Sequence, residues 1–139
     1  MIIGIDFDGT CVTHELPLIG SEIGATNVLK KLVAKGHQLV LFTMRSDIEN
    51  PTSDDPEILQ QGGNYLTEAV QWFSQRGIPL YGVNTNPRQH TWTTSPKAYC
   101  NLYIDDAALG VPLTTAPGVK HPYVDWVTVE RILTEKGIL

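Results

Sequence analysis

Short apolar runs alternate along this chain with stretches whose apolar residues recur at helical spacing, and that alternation narrows the fold more than any other feature. The runs are Ile2 to Phe7, Gly36 to Phe42 (centred on Leu39-Val40-Leu41-Phe42), Leu80 to Val83, and Leu102-Tyr103-Ile104. Their nearly continuous apolar character suits strands covered on both faces. Between and after them, Ala25, Val28, Leu29, Leu32 and Val33 share one helical face, as do Tyr65, Leu66, Ala69, Val70 and Phe73, and then Val129, Ile132 and Leu133. A basic residue followed by glycine closes each helical pattern, at Lys35-Gly36, Arg76-Gly77 and Lys136-Gly137, as expected of a helix C-terminus. Ser21 and Asp125 are candidate N-caps. The expected fold is α/β, a doubly wound parallel sheet with helices on its faces. A weaker fifth strand is expected at Pro122 to Val124. Ser46 to Gly63 and Asn84 to Pro96 read as long loops, which in a compact domain are often functional.

Composition sets the bounds. The chain has 139 residues, of which 42% are apolar and 18% charged. That is enough for one ordered domain spanning residues 1–139 with its own core. The formal charge of -5 argues against nucleic acid or an anionic membrane as a partner held by bulk charge. Cys11 and Cys100 lack zinc-ligand spacing and form no disulfide framework, so a reduced, cytoplasmic protein is expected. The N-terminus has no basic segment and is acidic by Asp6, unlike a signal peptide. No apolar run approaches the ~20 residues that span a bilayer.

The chemistry concentrates where strands end. Asp6-Phe7-Asp8-Gly9-Thr10 follows the first apolar run, and Asp105-Asp106 follows the fourth. In a doubly wound sheet, ligands sit beyond the carboxyl ends of the strands. Residues two apart on extended backbone face the same way, so Asp6 and Asp8 are expected on one side. If the first and fourth strands are neighbours, four carboxylates converge. Crowded carboxylates repel unless a cation or proton intervenes, and Mg2+ prefers oxygen ligands. Gly9 lets the chain turn sharply past this point. At the end of the second strand, Thr43 offers a hydroxyl to a phosphoryl oxygen. Arg45 is either an anion contact or a surface arginine, and Lys97 is a candidate counter-charge.

These residues resemble the haloacid dehalogenase superfamily of phosphotransferases. Asp6-Phe7-Asp8-Gly9-Thr10 looks like its first motif, Thr43 its second and Asp105-Asp106 its fourth, in the expected order over residues 2–106. The resemblance implies a phosphatase with Asp6 as nucleophile, forming an aspartyl phosphate, and Asp8 as general acid and base. It implies Mg2+ held by the Asp6 carboxylate, the Asp8 backbone carbonyl and one or both of Asp105 and Asp106. Thr43 and backbone N–H groups near Phe7, Asp8 and Met44 would orient the phosphoryl oxygens. Lys97 is the nearest match to the family's lysine, with Arg88 as a rival. Cap domains in this family enter after the first or third strand. Cys11 to Gly20 and Asn84 to Pro96 are too short to hold one, which implies a capless core. The site is then open to a large phosphorylated substrate or to cover by a second subunit of a homo-oligomer. Sugar phosphates, nucleotides and phosphorylated macromolecular ends all fit that description. The competing reading is a non-catalytic phosphoacceptor or phosphate-binding module on the same fold. A receiver-like version is disfavoured, because no Asp follows the third strand.

Overall fold

The computed structural model describes residues 1–50 and 61–139. In chain order the elements are β1 (Ile2–Ile5), α1 (Ala25–Ala34), β2 (Gln38–Leu41), β3 (Asp47–Ile48), β4 (Gly63–Asn64) and α2 (Tyr65–Gln75). They continue with β5 (Gly82–Val83), β6 (Leu102–Ile104), β7 (Leu113–Thr114), β8 (Tyr123–Val124) and α3 (Trp126–Glu135). Four strands form a parallel sheet in the order β5-β2-β1-β6. The chain grows outward from β1 to β2 to β5, then crosses back to place β6 on the other side of β1. This reversal makes the sheet doubly wound, and it puts the topological switch point between β1 and β6, where such folds open a crevice.

Strand alternation decides which side chains meet the helices. Ile3 and Ile5 of β1, Leu39 and Leu41 of β2, and Ile104 of β6 are buried with the apolar faces of all three helices. Those faces present Val28, Leu29 and Leu32 from α1, Trp72 and Phe73 from α2, and Val129 and Leu133 from α3. The opposite face carries a smaller cluster of Val40, Ala98 and Cys100, bordered by Ile2, Phe42, Tyr81 and Tyr103. There the return connection from β5 to β6 supplies the cover. Its only helical piece is a 3-10 turn, Gln89–Thr91. The buried Gln89 side chain organises it, donating to the carbonyls of Ser95 and Lys97 and accepting from the N–H groups of Asn86 and Tyr99. Gly4 is what lets this layer close down: a Cβ there would lie 2.9 Å from the Tyr103 ring and 3.1 Å from Cys100 Sγ.

Three local expectations are corrected. Tyr123–Val124 is no fifth strand of the main sheet but pairs antiparallel with Leu113–Thr114. Ser21 does not cap α1, which starts after Gly24; its N–H donates to Thr13 Oγ1 instead. The ends of the Ser46 to Gly63 loop are ordered as the antiparallel pair β3–β4, while residues 51–60 of that loop lie outside the described residues. Asp125 does cap α3, accepting from Thr128 N–H and Oγ1. Cys11 to Gly20 and Asn84 to Pro96 carry no inserted domain. Both cysteines are free and buried. No helix among the described residues is long and apolar enough to cross a membrane.

Candidate active site

Asp6 extends the β1 ladder by one residue, its N–H donating to the Ile104 carbonyl at 3.0 Å. Phe7 then drops into the core against Trp72 and Phe73 of α2. This anchor fixes the turn that follows, because the Phe7 carbonyl accepts from Thr10, Cys11 and Val12 N–H groups. The C-terminal segment braces the turn from behind: Val124 N–H donates to the Gly9 carbonyl and Trp126 Nε1 to the Thr10 carbonyl. Thr10 joins the two strand ends. Its hydroxyl donates to Asp6 Oδ2 at 3.0 Å and accepts from Asp106 N–H at 3.0 Å.

Because β1 and β6 are adjacent, Asp105 and Asp106 arrive beside Asp6. One carboxylate oxygen from each of Asp6, Asp105 and Asp106 lies within 4.8 Å of the other two. At that spacing two full negative charges repel by about 3 kcal/mol at an effective dielectric near 20. Burial pushes the Asp6 carboxyl up to about 8, and the charges of Asp105 and Asp106 add to the rise. The Phe7 backbone N–H and the Thr10 hydroxyl pull the other way. Asp106 is raised as well, chiefly by burial, against a hydrogen bond with Asp6 and the nearby charge of His14. The donor set suits Mg2+. If such an ion bound, these three carboxylates could supply oxygen ligands to it, and water or a substrate would supply the rest.

Asp8 does not join this cluster. Both of its oxygens accept from Arg45, from Nε and from Nη2, each at 2.8 Å. Arg45 has a side chain 0% exposed. Its remaining donors go to the carbonyls of Pro17, Leu18 and Tyr65, and its guanidinium lies 5.1 Å from the Phe7 ring centre. Every N–H of the fork thus has an acceptor. So Arg45 is no surface arginine, and the anion it meets here is the Asp8 carboxylate of its own chain rather than a substrate. Arg45 ties together the first turn, the loop at Pro17–Leu18 and the start of α2. The expected four carboxylates become three plus a buried ion pair.

At the end of β2, Thr43 Oγ1 accepts from Arg45 N–H at 3.1 Å, and Thr43 N–H donates to Asn84 Oδ1 at 2.8 Å. The hydroxyl proton of Thr43 is directed to no acceptor among the described residues. Met44 is 95% exposed. Lys97 is exposed, with Nζ 5.5 Å from the Tyr103 ring centre on the second face of the sheet, and it pairs with no carboxylate among the described residues. Arg88 is exposed in the return connection. His14 and His121 are exposed with ring centres 5.3 Å apart. Reading the sequence missed two contributors. Thr10 stood inside the first motif without a stated part. Asn84, which holds left-handed backbone at φ 55 after β5, gave no signal beyond its loop composition.

No family model matches this chain. No curated protein matches it either. Among solved structures, the conserved protein coded by a locus of Bacteroides thetaiotaomicron is similar at a TM-score of 0.69 and 32% identity, over 98% of this chain and 91% of that one.

Proposed function

We propose, from the premise that this chain belongs to one family with the conserved Bacteroides thetaiotaomicron protein, that it is a Mg2+-dependent phosphohydrolase acting through an aspartyl phosphate on Asp6. One observation carries the reading: three carboxylates from two adjoining strand ends meet at the switch point of a doubly wound sheet, with Asp6 raised by burial first and by the charges of its two neighbours in addition. The resemblance of residues 6–10, 43 and 105–106 to the haloacid dehalogenase motifs supports the same reading. Asp6, Asp105 and Asp106 would hold the cation, which when bound offsets the negative charge of the carboxylates and of a phosphoryl group. Asp6 supplies the attacking oxygen. Thr10 holds Oδ2 of that carboxylate, leaving Oδ1 for phosphorus. The Thr43 hydroxyl donates to a phosphoryl oxygen. Phosphoryl transfer asks mainly for such positioning and charge balance.

Phosphate release from p-nitrophenyl phosphate with Mg2+, against EDTA, tests this directly. The Asp6→Asn variant should lose turnover. Full activity in that variant at equal purity rules out Asp6 as nucleophile. The Asp8–Arg45 pair also favours a second reading, a phosphoacceptor module, because a restrained Asp8 slows hydrolysis of an aspartyl phosphate. One equivalent of label from acetyl phosphate, stable for hours on Asp6 with no further turnover, would select it.

A further inference from the structure

We propose that His14 and His121 share one divalent ion of the Zn2+ class, at a site separate from the Asp6, Asp105 and Asp106 carboxylates. The pair stands whether or not Asp6 is a nucleophile. Its two imidazoles come from distant parts of the chain, yet their ring centres lie 5.3 Å apart with the planes inclined at 55°.

That spacing matches a shared ion. Zn–N bonds of about 2.0–2.1 Å in tetrahedral geometry set the centres of two coordinated imidazoles roughly 5 Å apart. The ring nitrogens are also uncommitted. Of the four histidines in the chain, His37 meets the N-terminal amine and the Ile138 carbonyl, and His90 meets the Pro87 carbonyl. Among the described residues, no hydrogen bond engages either ring nitrogen of His14 or of His121, and both side chains face solvent.

Both rings sit on backbone that is already fixed. Thr13, one residue before His14, is buried; its N–H donates to the Ser21 carbonyl and its hydroxyl oxygen accepts from Ser21 N–H. His121 lies just before β8, which pairs with β7 and whose Val124 N–H donates to the Gly9 carbonyl. Binding then orders two side chains rather than two loops. A negative group borders the pair, since His14 is near enough to Asp106 to act on its carboxyl. Ligand chemistry separates the two cation positions: Mg2+ prefers oxygen, whereas imidazole suits Zn2+ and its transition-metal neighbours. The coordination positions left by two imidazoles are open to water or to a carboxylate oxygen.

Calorimetric titration of the whole chain with Zn2+, in excess Mg2+ to occupy the carboxylates, tests the site. One equivalent should bind. His14→Gln and His121→Gln should each weaken that binding at least ~10-fold. Because both side chains are exposed, the variants should melt with wild type in EDTA, and Zn2+ should raise the melting temperature of wild type more than that of either variant. In NMR spectra of the wild-type chain, the ring resonances of His14 and His121 should move on adding Zn2+, and those of His37 and His90 should not. This last reading decides the matter even if a variant folds poorly. Absence of Zn2+ binding in excess Mg2+ overturns the site. Binding that both variants keep at wild-type affinity also overturns it, by placing the ion on the carboxylates or the cysteines. Weakening in one variant alone, with only that ring moving in the spectra, overturns the sharing of one ion by the pair.

Discussion

Gly9 Cα and the Asp106 carboxylate are in contact: a Cβ built on Gly9 would lie 2.4 Å from Asp106 Oδ2. Gly9 also holds φ 79, a left-handed conformation that side chains disfavour. Backbone and neighbour therefore make the same demand, and together they let the first turn and the second strand end share one site. Gly9→Ala is expected to cost about 1–3 kcal/mol from backbone strain and to displace Asp106 from Asp6. Urea unfolding reads the first effect. Calorimetric titration with Mg2+ reads the second, as at least ~10-fold weaker binding, the counterpart of 1.4 kcal/mol. Unchanged Mg2+ affinity in a folded Gly9→Ala protein would remove Asp106 from the cation site.

The raised Asp6 carboxyl gives a pH dependence with a definite sign. Its folded value of about 8 stands above the ordinary 3.8. Between those values the folded chain holds a proton that the unfolded chain has released, so raising the pH favours unfolding. In EDTA, the Asp6 contribution to stability should fall steadily from about pH 4 to pH 8. Each unit of pH counts for at most about 1.4 kcal/mol. Asp6→Asn removes that slope, and melting temperatures of the two proteins measured across this range should converge at low pH and separate at high pH, with the variant more stable. Added Mg2+ competes with the proton. Its binding should tighten as pH rises toward 8 and level off above it. A pH-independent difference between wild type and Asp6→Asn would place the raised carboxyl elsewhere.

Arg45→Met tests the buried pair by stability alone. It removes the cation and leaves Asp8 buried without its partner, which for such pairs costs about 3–5 kcal/mol. Arg45→Lys keeps the charge but loses the fork that reaches both Asp8 oxygens, and should fall between. The double variant Asp8→Asn/Arg45→Met strands no charge and should recover part of the loss. Equal destabilisation by the single and double variants in urea would show that the carbonyl contacts of Arg45, not Asp8, are what hold the fold.

The sheet was legible because its information is local. Apolar runs at β1, β2 and β6 and the 3.6-residue pattern of α1, α2 and α3 are written in consecutive residues. The Asp6 and Asp105-Asp106 strand ends were legible for the same reason, and strand order supplied their meeting. Arg45 was not. Its burial depends on Asp8 and on the carbonyls of Pro17, Leu18 and Tyr65, and backbone acceptors leave no trace in side-chain identity. Tyr123–Val124 was misplaced because a two-residue β-branched and aromatic run reads alike in a main sheet or a small antiparallel ladder. The second face drew its cover from Gln89, whose four hydrogen bonds to backbone replace a helix. A polar residue buried for that purpose looks like any loop glutamine.

Thr10 is where the two halves of the site are joined, and its hydroxyl has a fixed direction. It accepts from Asp106 N–H, so its own proton is free to go to Asp6 Oδ2. Thr10→Val keeps the shape but leaves the Asp106 N–H without its acceptor, at a cost of about 1–3 kcal/mol. It also frees Asp6 to rotate. Loss of the donated hydrogen bond should raise the Asp6 carboxyl further, since that bond favours the charged form. The expected signature in turnover of p-nitrophenyl phosphate is a fall in kcat with little change in KM, because the interaction orients the nucleophile and does not touch the leaving group. The acidic limb of the pH profile should move upward. Thr10→Ser retains the hydroxyl and should restore both the rate and the limb. If Thr10→Ser is as impaired as Thr10→Val, then the methyl group packed in the turn matters more than the hydrogen bond between the strand ends.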